Sequence, residues 1–233
     1  METRSEVDRL QAVYREYAVR GFGHSKWSPA NRGNQEVRDE CRSKLRALLR
    51  ENGFFPVQSR RILDVGCGGG DRLAEFAAFG ARPENMFGVD LMADRIAAAR
   101  KNHPEIAFAL ANAEALPFAD GAFDLVTVFT VFTSILDTHM ATNVSSEITR
   151  VLAPGGGVVW YDFRLRSPFN RHVRGISRRQ IQALFPGYRM NLQSLSLLPP
   201  LARRLGRLTP WLYPRLSAVP FLRSHYLGIL RKP

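Results

Sequence analysis

A glycine-rich turn at residues 66–70 constrains the fold of this chain more than any other feature of its sequence. It follows a short apolar segment, residues 61–65, and precedes a segment with helical spacing of apolar residues, 71–80. Glycine reaches positive φ and leaves room for a ligand close to the main chain, because it has no Cβ. The free N–H groups at the start of a helix face the same spot. The pattern predicts a strand, a tight turn and a helix around a bound ligand.

Two common ligands of such turns do not fit these residues. A dinucleotide site built on Gly66 and Gly68 would need a third glycine at position 71, where Asp71 stands instead. A phosphate-binding loop would need Lys and Ser or Thr after the last glycine, and the chain has neither there. With Asp64 inside the strand end, a ligand with a cationic amino-acid end and a ribose fits better.

The segment 63–70, Leu-Asp-Val-Gly-Cys-Gly-Gly-Gly, resembles motif I of the class I S-adenosylmethionine (SAM) dependent methyltransferases. Asp90 ends the second predicted strand 20 residues after Gly70, where an acidic side chain can accept from both ribose hydroxyls. The loop 112–114 and the helix and turn at 147–156 also resemble segments of this family. The matches extend over residues 61–165.

The resemblance implies a doubly wound α/β fold, the Rossmann-like fold of this family, with a mostly parallel sheet of seven strands. Its sheet order would be 3-2-1-4-5-7-6, with the seventh strand antiparallel. Apolar patterns and turn residues locate the elements along the chain. The predicted strands are 61–65, 86–90, 106–110, 123–130, 158–162, 190–197 and 225–230, and the predicted helices are 7–18, 33–50, 71–80, 93–100, 145–152 and 177–185.

The domain organisation follows from this fold. We expect an N-terminal helical cap in residues 1–60 and a SAM-binding methyltransferase domain in residues 61–233. Residues 198–223 separate the last two strands and hold five prolines and five arginines among many apolar residues. We expect this insert and the leader loop with Trp27 to wall the acceptor site together. A soluble lid is preferred over a patch against anionic membrane, although peripheral membrane contact stays open.

The charge of the chain is distributed unevenly. Residues 163–233 hold 14 Lys and Arg and no acidic residue, whereas residues 1–162 hold 21 acidic residues and 19 Lys and Arg. The chain has two cysteines and no apolar run near the ~18 residues that a membrane span needs. The start of the sequence lacks the apolar segment of a signal peptide. We therefore expect a cytoplasmic protein.

The resemblance implies SAM as the cofactor, with a defined set of contact residues. Where the family usually has Asp beside the adenine, this chain has Asn112, which can still accept through its amide oxygen. The expected contacts are Asp64, Gly66, Cys67 and Gly68 at the methionine end, Asp90 and Leu91 at the ribose and adenine edge, Asn112, Ala113 and Glu114 beside the base, and Thr130 facing the methyl group.

Methyl transfer from a sulfonium is an in-line displacement that needs alignment and, for hydroxyl or amine acceptors, a base. The chain lacks the Asn-Pro-Pro-Tyr/Phe tetrad of relatives that methylate amino-purines and glutamine. It also lacks the Lys and two acids that hold a metal in the catechol type, so we predict no metal. The candidate bases are Asp162 at the end of strand five, His139 and His172, with His24 in the leader loop as a further candidate.

We predict a SAM-dependent methyltransferase that acts on a small molecule, a natural-product scaffold or a sugar-containing or lipid-linked acceptor. Oxygen is the expected methylated atom. Three alternatives stay open: an RNA or DNA methyltransferase that uses the basic C-terminal third, a non-catalytic SAM-binding protein, and an NAD-type oxidoreductase.

Overall fold

The computed structural model of the chain describes residues 5–20, 28–166 and 170–233. The predicted leader loop, with His24 and Trp27, lies outside these residues. The strands are β1 Ile62–Val65, β2 Met86–Asp90, β3 Ala107–Leu110, β4 Phe123–Phe129, β5 Leu152–Phe163, β6 Arg189–Leu197 and β7 Arg223–Arg231. They form one sheet in the order β3-β2-β1-β4-β5-β7-β6.

Helices precede, follow and connect these strands. In chain order they are α1 Glu6–Val19, α2 Arg32–Glu51, α3 Asp71–Ala78, α4 Ala93–Asn102, α5 Thr138–Val151, α6 Arg178–Leu184, α7 Pro199–Arg204 and α8 Thr209–Ser217. In the part of the chain that the structure describes, none of the helices has both the length and the apolar character needed to cross a bilayer.

The predicted α/β fold is confirmed, and the sheet order is the predicted one. β7 is antiparallel to β5 and β6, and the other pairings are parallel. All four residues of β1 are buried, as expected for a central parallel strand with helices on both faces. Parallel pairing of β1, β2, β3 and β4 brings their carboxyl ends to one edge of the sheet, which positions the loops that follow them.

The core forms two layers, one on each face of the sheet. Successive residues of β4 enter opposite layers, because side chains alternate along a strand. Val126 packs in a layer with Ile148 of α5, and Leu125 packs in the other with Leu45 of α2 and Phe76 of α3. The second N-terminal helix is therefore part of the core. The domain boundary between residues 60 and 61 stays a prediction.

Two predicted element starts are wrong. α5 begins at Thr138 rather than at 145, because Asp137 caps it by accepting the N–H of Met140 at 2.7 Å. β5 begins at Leu152 rather than at 158, because Leu152 pairs with Phe123 before a register shift in the ladder. The glycines that follow Leu152 predicted a turn, and they lie inside this irregular strand start.

The helical insert predicted between the last two strands is present. It consists of α7, the 3₁₀ turn Gly206–Leu208, α8 and the 3₁₀ turn Pro220–Leu222. α7 packs closely on α2, since a Cβ added to Gly33 would lie 2.0 Å from the carbonyl oxygen of Ala202. The insert is thus held against the second N-terminal helix.

Candidate active site

The turn after β1 is held by main-chain hydrogen bonds to the neighbouring strand. The N–H groups of Gly66 and Cys67 donate to the carbonyl oxygen of Val89 at 2.8 and 3.0 Å. Gly66, Gly68 and Gly70 have φ of 73°, 53° and 88°. Residues with a Cβ rarely adopt these values, so the turn depends on glycine at these three positions.

Asp90, at the end of β2, ties the turn to its own strand. One carboxylate oxygen accepts from the N–H of Gly68 and the other from the N–H of Met92, each at 2.9 Å. The side chain is buried yet lines a small cavity beside the turn. A carboxylate has about four acceptor sites, so both oxygens can still accept from a ligand hydroxyl.

This small cavity, about 110 Å³ in volume, lies at the carboxyl ends of β1, β2, β3 and β4. Ligands of doubly wound sheets bind at this edge. Six of the ten residues predicted to contact the cofactor line it: Gly66, Asp90, Leu91, Asn112, Ala113 and Thr130.

Three of the other four lie in or behind the turn. The carboxylate of Asp64 accepts from the hydroxyl of Thr127 at 2.5 Å, and the side chain is fully buried. Burial raises the pKa of Asp64 to about 7, although the Thr127 hydrogen bond acts to lower it. Cys67 belongs to the core layer of α2 and α3, where burial raises the pKa of its thiol. Gly68 contributes its N–H to Asp90.

The fourth, Glu114, shapes the loop after β3. The amide oxygen of Asn112 accepts from the N–H of Glu114 at 3.1 Å. The Glu114 carboxylate accepts from Nδ2 of Asn112 at 3.2 Å and from Nδ2 of Asn143 in α5 at 2.9 Å. The side chains of Asn112 and Glu114 bond to each other and to the loop itself. They therefore stabilise the loop conformation in which Asn112 lines the cavity.

Thr130 follows β4 in a conformation that a β-branched residue rarely adopts, with a φ of 57°. Its N–H donates to the carbonyl oxygen of Tyr161 at 2.7 Å, and its hydroxyl to the carbonyl oxygen of Phe129 at 2.7 Å. The hydroxyl of Ser134 donates to the carbonyl oxygen of Thr130. Such backbone strain concentrates at functional sites, where the surrounding structure holds it in place.

Helix α1 covers the small cavity through contacts that the sequence did not reveal. The Glu6 carboxylate accepts from the N–H of Leu136 at 2.6 Å. Arg9 donates to Glu6 and to the carbonyl oxygen of Ser134, the latter at 2.6 Å. The hydroxyl of Tyr14 lies 2.9 Å from that of Ser134. α1 is thereby fastened to the loop after β4, next to Thr130.

A second, much larger cavity of about 1630 Å³ adjoins the first. Most of its exposed lining area is apolar, although eight arginines and three acidic residues also line it. The lining comes largely from α2, α3, α7 and the ends of β4, β5 and β6. Tyr161 and His225 contribute polar groups to it. The residues that line both cavities, and so form their shared wall, are Tyr14, Met92, Arg95, Thr130 and Ser134.

His225 in β7 is the buried histidine of this large cavity. Its ring stacks on Tyr161, with centroids 4.5 Å apart and planes 7° apart. The hydroxyl hydrogen of Ser224 goes to the carbonyl oxygen of Ser196, so Nδ1 of His225 donates to the Ser224 oxygen at 2.7 Å. Nε2 is left as an acceptor, and no described residue bonds it. Burial lowers the pKa of His225 to about 3, which keeps the ring neutral.

The three predicted bases lie elsewhere. Asp162 is fully buried, and its carboxylate accepts from the N–H groups of Thr133 and Phe163, each at 3.0 Å. His139 is exposed on α5, and His172 follows the undescribed residues 167–169. None of the three lines either cavity within the described residues. No group of three His, Cys, Asp or Glu that could hold a metal occurs among those residues, and the absence of a metal stays a prediction.

Residues 62–156 match the family model of a methyltransferase domain. The match begins at β1, includes the glycine turn, Asp90 and the loop after β3, and ends in the irregular start of β5. These residues of the chain thus resemble a methyltransferase domain. The family resemblance of the sequence motifs is thereby confirmed.

The methyltransferase domain has curated relatives that match part of their length. Fatty-acid O-methyltransferase of Mycolicibacterium smegmatis is 32% identical over 133 residues, 55% of this chain and 46% of that protein. Demethylmenaquinone methyltransferase of Thermus thermophilus is 40% identical over 108 residues, 45% of this chain and 47% of that protein. The chain spans about half the length of these curated relatives.

The fold of the methyltransferase domain extends over more of the chain than these sequence matches do. The crystal structure of an S-adenosylmethionine dependent methyltransferase from Mesorhizobium loti matches with a TM-score of 0.60 and 19% identity. The match covers 82% of this chain and 96% of that one. At this identity the likeness shows the fold alone.

Proposed function

We propose that this chain is a SAM-dependent methyltransferase whose acceptor is a small, largely apolar molecule methylated at oxygen. The proposal rests on two adjoining cavities that differ in size and in lining. The small cavity lies beside the glycine turn and Asp90, and the large cavity is mostly apolar. A cofactor in the first and an acceptor in the second would face each other across the wall of Tyr14, Thr130 and Ser134. An in-line displacement requires such an arrangement.

Two features of the described residues fit SAM, which supplies an activated methyl group on its sulfonium when bound. Asp90 keeps free acceptor sites for the two ribose hydroxyls. Arg72, on the first turn of α3, has a buried Nε with no hydrogen-bond partner. Arg72 lines the large cavity beside Asp71, the residue that follows the glycine turn, so the amino-acid end would extend into that cavity and its carboxylate could accept from Arg72. Arg72 is thus a cofactor residue that the motif alone did not identify.

The small cavity is too small for the whole cofactor as it stands. Its volume of about 110 Å³ is below the ~300–1,000 Å³ typical of such ligand sites. α1 forms one of its walls through Leu10 and Tyr14. The proposal therefore requires α1 to shift outward when SAM binds, while the strand ends stay in place.

His225 is the proton acceptor we propose for a hydroxyl acceptor in the large cavity. Its Nε2 can accept the hydroxyl hydrogen, since Nδ1 is already committed to Ser224. On transfer, the methyl–sulfur bond breaks, the oxygen–methyl bond forms and the hydroxyl proton passes to Nε2. A weakly basic histidine suffices, because an oxygen that gains a methyl group while still protonated is a much stronger acid than an imidazolium.

The relatives support an apolar acceptor. Two of them are a fatty-acid O-methyltransferase and a demethylmenaquinone methyltransferase. Fatty acids and demethylmenaquinone are largely apolar, as is the lining of the large cavity.

Transfer from methyl-labelled SAM tests the proposal. The protein is incubated with labelled SAM and a cell extract, which is then separated into lipid-soluble, small polar and macromolecular fractions. We expect label in the lipid-soluble fraction. A labelled methyl ester would release labelled methanol on alkaline hydrolysis, and a labelled methyl ether would release labelled methyl iodide in hydriodic acid, so either result places the methyl group on oxygen. His225→Gln should lower the transfer while SAM affinity stays unchanged. Label in RNA or protein, or normal SAM binding with no label in any fraction, would contradict the proposal.

A further inference from the structure

The outer surface of the insert between β6 and β7 has a composition unlike the rest of the described surface. Leu208, Trp211 and Phe221 are 58%, 68% and 74% exposed. They are three of the six large apolar side chains that are exposed among the described residues. Exposed apolar residues gathered in one short segment indicate an interaction surface, whereas single ones do not.

The way α8 packs explains why Leu208 and Trp211 face outward. The helix buries Thr209, Tyr213 and Ser217, which are four residues apart and so lie on one face. Tyr213 fastens that face by donating to the Glu40 carboxylate at 2.7 Å. Trp211 lies on the opposite side. Leu208 precedes it by three residues and Arg215 follows it by four, so all three project from the same outer face.

The charge of this surface is positive and is not neutralised locally. Residues 198–223 contain five arginines and no acidic residue, and the whole segment 163–233 has no Asp or Glu. Arg207 and Arg215 are exposed. Neither of them forms an ion pair with any described residue, and Arg215 donates instead to the carbonyl oxygen of Trp211 at 2.6 Å. Arginine binds phosphate groups with two parallel hydrogen bonds.

We propose that the outer face of the insert docks on an anionic lipid surface. A tryptophan with apolar neighbours suits the boundary between headgroups and acyl chains, and flanking arginines suit the phosphates above it. Nucleic acid would use the arginines but leaves Leu208 and Phe221 without a partner.

The inner face of the same insert connects lipid docking with the large cavity. Leu198, Pro199 and Leu201 line the large cavity from the other side. A segment that touches lipid on its outer face and the acceptor cavity on its inner face would let an apolar acceptor pass from the bilayer into the site. This last step rests on the proposed function, whereas the docking itself does not.

Vesicle flotation tests the docking without SAM and without any transfer. The probes are vesicles of phosphatidylcholine alone and vesicles in which about a third of the lipid is phosphatidylglycerol. The wild-type chain should float with the anionic vesicles and hardly with the neutral ones. The pair R207Q/R215Q should bind ~25-fold more weakly, since each arginine near such a surface contributes about fivefold. The pair W211S/F221S should lose at least about tenfold.

Matched controls separate the surface from the total charge. The pair K44Q/R82Q removes the same charge from exposed positions outside the insert, and it should stay within about twofold of wild type. The altered side chains are all exposed, so circular dichroism should give the same melting temperature for every variant. If R207Q/R215Q and K44Q/R82Q lose the same amount of vesicle affinity, only the net charge of the protein matters, and the proposal is overturned.

Quenching by lipids brominated in the acyl chain supplies a second readout. Trp211 fluorescence should be quenched on the anionic vesicles, and Trp211→Phe should remove the quenched signal. Absence of wild-type flotation, or absence of quenching with normal flotation, would overturn docking through this face. Displacement from the vesicles by polyuridylate, with W211S/F221S binding as tightly as wild type, would assign the arginines to nucleic acid instead.

Discussion

At the scale of the residue, hydrogen bonds within the protein orient Asp90 and His225, the two side chains that we propose to contact the cofactor and the acceptor. Asp90 is oriented by two main-chain N–H groups that leave part of each oxygen available. His225 is held in one tautomer by Ser224, whose own hydrogen is used elsewhere. In both cases the protein orients the group before the ligand arrives, so that less entropy is lost on binding.

Replacing Asp90 tests the cofactor side. Asp90→Ala removes the acceptor for two ribose hydroxyls, each worth about 1.5–3 kcal/mol because the acceptor is charged. SAM affinity measured by calorimetry should fall at least about 100-fold. Asp39→Asn, an exposed change on α2 outside the small cavity, serves as the control and should keep wild-type affinity. Unchanged affinity in Asp90→Ala would contradict the assignment of the ribose site.

The pH dependence of the free energy of unfolding tests whether the buried ring of His225 is neutral. Its pKa of about 3 in the folded chain lies below the ~6.5 of an unfolded chain. The ring therefore stabilises the fold fully above pH ~6.5, and that contribution is lost as pH falls from 6.5 toward 3, by up to about 1.4 kcal/mol per pH unit. Urea unfolding of His225→Phe should depend less on pH between 7 and 5 than that of wild type.

The exposed His139 provides the matched control for this measurement. His139→Gln removes a histidine from the exposed surface of α5 and is measured in parallel. Burial raises the pKa values of Asp64 and Asp162 to about 7. Their contribution to the free energy of unfolding therefore falls as pH rises, which is opposite to the effect of His225. They are the same in all three proteins, and their effect cancels in the comparison. Identical slopes for wild type and His225→Phe would contradict a neutral buried ring.

At the scale of the element, α1 is the part of the site whose contacts are easiest to weaken. Its polar attachment relies on Glu6, Arg9 and Tyr14, all bonded to the loop after β4, and Leu10 and Val13 are buried beneath the helix. Burial acts to raise the pKa of Glu6, but the Arg9 and Leu136 hydrogen bonds prevail and lower it, so Glu6 is charged at neutral pH. A helix held by a few polar contacts at its start can open locally while the sheet stays folded.

Weakening this attachment should change the kinetics of the cofactor. Glu6→Gln replaces a charged acceptor by a neutral one, so α1 opens more often and both association and release of SAM should become about tenfold faster. Stopped-flow displacement of the labelled demethylated product measures the release rate. Glu16→Gln, which affects only an exposed pair with Arg20, should change neither rate. Equal release rates in all three proteins would show that α1 does not gate the site.

The elements also show what could be predicted from the sequence. The turn at Gly66–Gly70 and the acid at Asp90 are local patterns with a defined spacing, so the central strands followed from them, and the family resemblance that they carry implied six of the cavity residues. The contacts of Tyr14 and His225 could not be predicted, because they depend on how distant segments pair. The φ of Thr130 could not be predicted either, since a β-branched residue gives no signal for positive φ.

At the scale of the whole molecule, the basic C-terminal third and the neutral remainder have different positions around the cavities. The glycine turn, Asp90 and the loop after β3 lie in the first part and surround the small cavity. The second part supplies α7, β6 and β7 to the large cavity, together with the exposed face of α8. Under the proposed function, the cofactor would bind within the first part, whereas both parts would contribute to the acceptor cavity.

Filling the large cavity tests the central claim that the acceptor binds there and the cofactor binds in its neighbour. Val173→Trp places a large ring among the lining residues of the large cavity alone. With the acceptor found in the labelled fraction, transfer should fall at least about 100-fold while SAM affinity stays within about twofold. The exposed change Val19→Trp should affect neither. Wild-type transfer by Val173→Trp, or an equal loss of SAM affinity, would contradict the account.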